Sequence, residues 1–382
     1  MARPIYLDYN GTTPIDPEVL AAMRPFLEEE FGNPASSHWY GIAPKRAVEK
    51  ARGQVAGLLG CAPEEIIFTS GGTEANNHAI GGLIEASASG SHIITSAIEH
   101  PAVLQVCRYL EAHGGTTTIL PVDCHGLVDP AEVEAAIRPD TALITIMHSN
   151  NEVGTLQPIA EIAAIARRRA IPFHSDAAQS PGKIRLDVGE LGVDLLSLAG
   201  HKLYAPKGVG ALFVRQGVRL VPFCHGAGQE KGRRAGTENV AGIVGLGMAC
   251  EIAGRDPDRN MEQMRPLRDR LHEGLAARLG ETIRLNGHPD KRLVNTLSLS
   301  FKGLAANRLL EEIGLEVAAS AGAACHSDTV EISHVLAAMQ VPTEWAAGTL
   351  RFTVGRMTTA AEIDRTIAVV SEAAARLRTA AA

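Results

Sequence analysis

Apolar and polar residues alternate along the chain in blocks that predict strands followed by helices. Apolar runs of strand length occur at 65–70, 91–100, 141–151, 171–180, 193–202 and 209–215. Helical spacing follows from Thr73, from Ala102 and near Ile159. Apolar strands that alternate with helices predict an α/β fold with a mostly parallel sheet buried on both faces.

The pattern changes at both ends of this region. Asp16 and Pro17 are typical of a helix start, and a second helix is expected over 46–59. After a shift in composition at 255–262, a helix at 264–279 and a strand at 294–301 indicate a smaller α+β unit. The predicted parts are an N-terminal segment that joins the small domain (1–15), a large domain (16–260) and a small C-terminal domain (261–382).

Bulk composition narrows the function classes. The 382 residues are 45% hydrophobic, which is enough for a large core and about two domains. The net charge is −7, so the chain lacks the excess of basic residues that nucleic-acid binding needs. The longest apolar runs are far shorter than the roughly 20 residues that span a bilayer, and no signal-peptide stretch precedes them. We therefore expect a soluble cytoplasmic protein with no nucleic-acid or membrane partner.

The cysteines do not form a metal or disulfide pattern. None of the six lies in a C-x-x-C pair, and the three Cys–His neighbours would point to opposite faces of a strand. No metal site is expected. Cys325 is unusual because it lies in SAGAACHSDTVE (320–331), a run of small residues that offers little steric resistance to movement. Helical spacing resumes after it, with a start expected at Asp328 or Ser333.

Polar residues collect where the predicted strands end, which is where parallel sheets bind ligands. Gly72 and Thr73 follow one strand, and such a glycine turn before a helix can cradle a phosphate or simply be a capped turn. Asp176 ends another strand, and Lys202 ends the next. Asp176 and Lys202 could form a salt bridge with each other. They could also bind pyridoxal phosphate (PLP), which needs a lysine for its Schiff base and an acid beside its ring nitrogen.

Three further candidates each have a structural alternative. His100 is either a loop residue or a proton shuttle beside PLP. Arg356 follows a glycine at a strand end and is either a carboxylate clamp or half of a structural ion pair. The loop GQEKGRRAGTEN (228–239) suits anion binding or is a solvated basic loop.

The ordered set of motifs resembles the NifS-type cysteine desulfurases, in the class V aminotransferase group of PLP enzymes. The matching pieces run from residue 5 to about 360 and are YLDYNGTTP, FGNPASSH, FTSGGTEANN, IEHPAVL, NNEVGTLQPI, HSDAAQSPGK, GHKLYAPKGVGAL, GQEKGRRAGTEN and the Cys325 loop. The resemblance implies a PLP-transferase type I (aspartate aminotransferase-like) fold, whose large domain has a mostly parallel seven-stranded sheet beside a smaller α+β domain. It also implies PLP as cofactor, L-cysteine as substrate, a homodimer and a sulfur-acceptor protein such as an iron–sulfur scaffold.

The resemblance implies roles for particular residues. Lys202 matches the Schiff-base lysine, Asp176 the partner of the ring nitrogen, and Cys325 the nucleophile that receives sulfur. The other matched residues contact cofactor or substrate: Gln179 the ring hydroxyl, His100 the ring face, Gly72, Thr73 and His201 the phosphate, Thr237 the phosphate of the other subunit, Asn151 cofactor and substrate, and Arg356 the substrate carboxylate.

Three positions depart from the family pattern. Ala199 stands where a phosphate-binding Ser is common, and Gly11 stands where Ala is usual. The loop GAACHSD replaces the commoner GSACTSG and is similar to that of animal selenocysteine lyases. A selenocysteine lyase, which acts on L-selenocysteine, is therefore an alternative. A plain aminotransferase and a non-catalytic sulfur carrier of the same fold are two others.

Overall fold

The computed structural model describes residues 3–87, 90–326 and 329–381, without the side chains of residues 323–331 and 381. The strands, numbered in chain order, are β1 Ile5–Tyr6, β2 Ile66–Thr69, β3 His92–Ser96, β4 Thr116–Leu120, β5 Thr141–Thr145, β6 Phe173–Asp176, β7 Leu195–Ala199, β8 Gly210–Val214, β9 Ile283–Asn286, β10 Thr296–Phe301, β11 Val317–Ala318, β12 Ser320–Ala321, β13 Ala323–His326, β14 Thr329–Ile332 and β15 Thr349–Thr353. The α-helices are α1 Pro17–Glu28, α2 Trp39–Leu59, α3 Gly72–Ala86, α4 Pro101–Glu111, α5 Pro130–Ala135, α6 Ile159–Arg168, α7 Val188–Leu191, α8 Val240–Arg255, α9 Pro257–Leu279, α10 Ala306–Ile313, α11 His334–Ala338, α12 Thr343–Ala346 and α13 Ala360–Ala381. Short 3₁₀ turns cover Pro63–Glu65, Gly200–Lys202, Gln229–Gly232 and Gly280–Thr282.

The main sheet has seven strands in the order β2-β8-β7-β6-β5-β3-β4. Strand β8 runs antiparallel to β2 and β7, and the other pairs are parallel. The predicted mostly parallel α/β sheet is confirmed. Strand β4 was not among the predicted strands because its sequence TTTIL is polar. It lies at the sheet edge, and its residues are largely half-buried or exposed.

Apolar side chains fill both faces of this sheet. Ile66 and Phe68 pack into one cluster, whereas Ile67 between them packs into a second cluster on the other face. This alternation follows from the period-2 geometry of a strand. A sheet buried on both sides leaves its strand ends as the places for polar chemistry.

The C-terminal part has its own sheet and core. Its four strands, in the order β12-β15-β10-β9, are antiparallel, and their cluster includes Leu7 from the N-terminal segment. Strand β1 pairs in parallel with β11, so the first residues of the chain join this part. The domain boundaries after residues 15 and 260 stay predictions, with which these contacts are compatible.

Cys325 lies in a two-stranded antiparallel hairpin formed by β13 and β14, where it pairs with Val330. Its side chain lies outside the described residues, and so does Asp328, one of the two predicted helix starts. The other predicted start is confirmed: helix α11 begins at His334, and Ser333 is its N-cap, with Oγ accepting from the Val335 amide at 3.1 Å.

Within the described part of the chain, helices long and apolar enough to cross a membrane are absent.

Candidate active site

A cavity of about 250 Å³ lies at the carboxyl ends of the parallel strands and gathers most of the predicted site residues. Its predicted members are Gly72, Thr73, His100, Asn151, Asp176, Gln179, His201 and Lys202. Its other lining residues are Asn10, Gly11, Asn76, Ala102, Met147, Ser149, Ala178, Ala199 and Arg351. A larger cavity of about 720 Å³ lies at the amino ends of the parallel strands and contains none of these residues.

Lys202 lines the cavity from the tight turn that follows β7. Its Nζ donates to the carbonyl oxygens of Asn10 at 2.5 Å and Gly11 at 2.7 Å. Burial, aided by the guanidinium of Arg351, lowers the pKa of Lys202 to about 8, although Asp8 and Asp176 oppose the shift. A sizeable fraction of this amine is therefore unprotonated near neutral pH, as bond formation with an aldehyde requires.

This pKa gives a testable pH dependence. In protein stripped of PLP, we expect the rate of covalent attachment to rise about tenfold per pH unit and to level off above about pH 8, as the amine loses its proton. Stopped-flow absorption of the bound cofactor measures this rate. A rate that keeps rising toward the usual lysine pKa would contradict the assignment.

Asp176 is 6% exposed, and both of its oxygens accept hydrogen bonds. Asn76 Nδ2 donates to Oδ2 at 2.7 Å, and the Ala178 amide donates to Oδ1 at 2.9 Å. These two donors fix the position of a carboxyl group that could pair with a protonated ring nitrogen. The other amide atom of Asn76, Oδ1, is buried in the cavity wall without a partner among the described residues.

The start of α3 forms one wall of the cavity. Gly71, the N-cap, has φ +151°, and no side chain of the described residues caps the first amides of the helix. A Cβ on Gly72 would lie 3.3 Å from Ala199 Cβ, a tight contact that a small shift of either residue would have to relieve. His201 lies close by, and burial, aided by Lys202, lowers its pKa to about 4. This wall offers neutral N–H donors and a helix terminus, which suits a phosphate.

His100 is the N-cap of α4, and its Nδ1 accepts from the Ala102 amide at 3.1 Å. This bond leaves Nε2 as the ring nitrogen available to the cavity. Burial lowers the pKa of His100, and Asp176 opposes the shift while Lys202 reinforces it. The imidazole is therefore neutral near pH 7, and because Nδ1 accepts, Nε2 carries the proton that the ring can donate.

Arg356 does not line the cavity, contrary to the expected carboxylate clamp. Its guanidinium pairs with Asp16 at 3.0 Å and stacks over the Tyr204 ring at 4.0 Å. The arginine that does line the cavity is Arg351, on β15. Arg351 donates to Asp8 at 2.7 Å and to the Asn151 carbonyl at 3.0 Å. Arg356 lies beyond Gly355, after the strand has ended, and there the chain has turned toward α1.

The loop that contains Thr237 also differs from its simplest interpretations. Arg234 pairs with Glu74 of α3 at 2.7 Å, and Arg233 donates to the Glu64 carbonyl at 2.9 Å, so the two arginines hold the loop against α3 and the turn before β2. Thr237 is exposed and lies in a separate recess of about 180 Å³, apart from the cavity of its own chain.

Sequence reasoning missed several polar residues of the site. Asn10, in the DYNGTTP segment, contacts Lys202, Gln179 and Asn151. Its position next to a recognisable motif was the signal available. Lys183, seven residues after Asp176, is buried behind the cavity.

Comparison with known proteins decides the family. The family model described as aminotransferase class-V matches residues 5–366. The chain belongs to this family. It is 48% identical over 381 residues to the cysteine desulfurase IscS of Dictyoglomus turgidum, which covers 99% of this chain and 96% of the relative.

Solved structures agree with this family assignment. A NifS-like protein has a TM-score of 0.91 at 38% identity, covering 97% of this chain and 99% of the other. A second structure, described as SspA in complex with cysteine, has a TM-score of 0.82 at 38% identity and covers 94% of this chain and all of the other. The PLP-transferase fold expected from the sequence is confirmed.

The residues of this family member fit PLP, the cofactor of class V aminotransferases. Lys202 supplies a partly unprotonated amine, Asp176 a hydrogen-bonded carboxyl group, and the start of α3 amides without a side-chain cap among the described residues. The buried Oδ1 of Asn76, which has no partner among the described residues, is an acceptor in the cavity wall to which a ligand could donate.

Proposed function

We propose that this protein is a PLP-dependent cysteine desulfurase that converts L-cysteine to L-alanine and passes the sulfur to Cys325 as a persulfide. The observation that carries the proposal is the meeting of Lys202, Asp176 and Arg351 in one cavity. These groups supply an amine, an acid and a cation for a carboxylate. The relatives named cysteine desulfurase favour L-cysteine over L-selenocysteine as substrate.

Each residue has a part in this mechanism. When bound, PLP supplies an electron-withdrawing ring that stabilises negative charge at the substrate Cα. Asp176 holds the proton on the ring nitrogen, and Arg351, rather than Arg356, binds the substrate carboxylate. The Lys202 amine takes the Cα proton, and His100 Nε2 exchanges a proton with the substrate thiol.

Cys325 receives the sulfur. Its thiolate attacks the substrate sulfur atom, so an S–S bond forms as the C–S bond breaks. The bonding electrons stay with the substrate carbon, which takes up a proton and leaves as alanine. The hairpin of β13 and β14 carries the persulfide, which we propose passes to an acceptor protein such as an iron–sulfur scaffold.

We also propose a homodimer in which Thr237 reaches the phosphate site of the other subunit. Thr237 is exposed outside the cavity of its own chain, while Phe31, Trp39 and Tyr40 form an exposed aromatic group in the neighbourhood of the FGNPASSH segment. Large exposed apolar groups of this kind favour a protein interface. Sedimentation equilibrium is expected to give the mass of a dimer.

A cytoplasmic location stays a prediction, which cell fractionation tests.

Alanine formation from two substrates tests the proposed activity. Wild-type protein with PLP is expected to form alanine from L-cysteine. In Cys325→Ala, we expect this rate to fall by a factor of about ten or more, because the sulfur has no acceptor thiol. With L-selenocysteine, the loss should be smaller, since selenide leaves more readily. Cys124→Ala, at an exposed cysteine, is the matched control.

The same assay separates the alternatives. Turnover of L-selenocysteine with little alanine from L-cysteine in the wild type would favour the lyase. A keto acid product would favour a plain aminotransferase.

A further inference from the structure

A second lysine is buried directly behind the cavity. Lys183 is 5% exposed and does not line the cavity. Its Nζ donates to Asn10 Oδ1 at 3.0 Å and to Gln179 Oε1 at 2.9 Å. Neither acceptor carries a charge, although buried lysines normally pair with a carboxylate.

The surroundings of Lys183 favour the neutral amine. Burial lowers its pKa well below the usual range, and the cations of Lys202 and Arg351 lower it further. The two acids near this group are engaged elsewhere, because Asp8 pairs with Arg351 and Asp176 accepts from Asn76. A neutral amine has two N–H donors, and the two acceptors here match them.

Contacts at both ends, with Lys183 and with the Asn10 carbonyl, fix the direction of the Gln179 amide. One end of that amide lies 3.0 Å from the Asn10 carbonyl oxygen, which can only accept. This end must therefore be the Nε2 donor, and Oε1 is turned toward Lys183. The same carbonyl oxygen accepts from Lys202 Nζ at 2.5 Å, so the amide donor and the Lys202 amine meet at one atom.

This arrangement matters for the chemistry of PLP. In PLP, the ring oxygen is attached next to the carbon that carries the aldehyde. A donor that lies beside Lys202 Nζ is therefore close to the ring oxygen of a lysine-linked cofactor. A hydrogen bond donated to that oxygen stabilises its negative charge and so lowers the proton affinity of the linkage.

We propose that Lys183 is a positioning residue that holds the Gln179 amide with its donor toward Lys202 and the cofactor ring oxygen. The inference rests on the proposed PLP-dependent function. Lys183 touches neither substrate nor cofactor and acts through Gln179 and Asn10. Its loss removes the donor to Oε1 and leaves the amide held only at its Nε2 end.

The test is a pH titration of the visible absorption of the bound cofactor. In Lys183→Met, which keeps the side-chain volume, we expect the midpoint to rise by about one pH unit, a tenfold gain in proton affinity. Lys207→Met removes an exposed lysine near His201 and should leave the midpoint within a few tenths of a unit. Thermal melting followed by circular dichroism checks that each variant is folded.

A double-variant cycle shows whether the effect passes through Gln179. Gln179→Leu should raise the midpoint by itself, and adding Lys183→Met should raise it no further. Additive shifts, or a wild-type midpoint in Lys183→Met, would overturn the proposal.

The variants also separate a failure of folding, and a failure of PLP binding, from a failure of the inference itself. If Lys183→Met does not fold, Lys183→Gln replaces it, with a smaller upward shift as support and an unchanged midpoint as refutation. A wild-type protein without any PLP band would overturn both this inference and the proposed function. A wild-type band with no shift in the variants would overturn the inference alone.

Discussion

Lys202→Ala abolishes the covalent link to PLP and lowers alanine formation from L-cysteine by about 10⁴-fold. The size of the loss follows from two tasks that the same amine performs, bonding the cofactor and moving the Cα proton. No second amine can replace it, since Lys183 lies behind Gln179 and is held by two acceptors. Absorption spectra of the purified variant and an alanine assay measure the two losses separately.

Lys207→Ala is the control for Lys202→Ala because it removes an exposed lysine from the same segment. It should keep the visible band and at least half of the activity. A visible band that persists in Lys202→Ala, with a mass increase that maps to another lysine, would show that the wrong residue has been assigned.

Arg351→Gln lowers kcat/KM for L-cysteine by about 10² to 10³-fold, with most of the change in KM. The reason is the loss of a charged hydrogen-bond partner for the substrate carboxylate, worth about 3–4 kcal/mol in a desolvated cavity. Arg351→Lys should lose less, because it keeps the charge but not the two-pronged geometry. Steady-state kinetics across a range of L-cysteine concentrations measures both constants.

Arg356→Gln is the matched control for Arg351→Gln. Its side chain pairs with half-buried Asp16, so we expect a lower melting temperature and a KM within about twofold of the wild type. The opposite pattern, with KM raised by the Arg356 change and not by the Arg351 change, would restore the assignment made from the sequence.

Much of the site could be predicted because strand ends are readable from apolar runs. Asp176 ends β6, and Lys202 lies in the turn after β7. The residues of both strands are all buried, and parallel neighbours bring such ends together. His100 follows a third strand of the same kind. Their roles became specific only through the ordered motifs, since each residue alone had a structural alternative.

The choice between Arg351 and Arg356 could not be made from the sequence. Both belong to one short segment, and either could reach across from the C-terminal sheet. The register decides, because Arg351 lies opposite Ser320 and Ser298 and its side chain reaches Asp8, whereas Arg356 lies beyond the strand end. Such pairings depend on residues more than 30 positions apart, which local periodicity does not encode.

The same limit explains Asn10 and Lys183. An asparagine and a lysine in turns read as surface residues, and their burial becomes visible only when distant segments close over them. Strand β4 was missed for the converse reason, because an edge strand needs few apolar residues.

The contacts of Asn10 also determine which segments of the chain must be present before the site can form. Its side chain forms hydrogen bonds with Asn295 and Thr296, and its backbone amide donates to Thr353 Oγ1 at 3.0 Å. All of these contacts are present only when the final strand has formed. These contacts join residues almost 350 positions apart, and long-range contacts of this kind form late in folding. A chain whose synthesis has not passed β15 therefore lacks the contacts that hold Asn10, whose carbonyl oxygen accepts from Lys202.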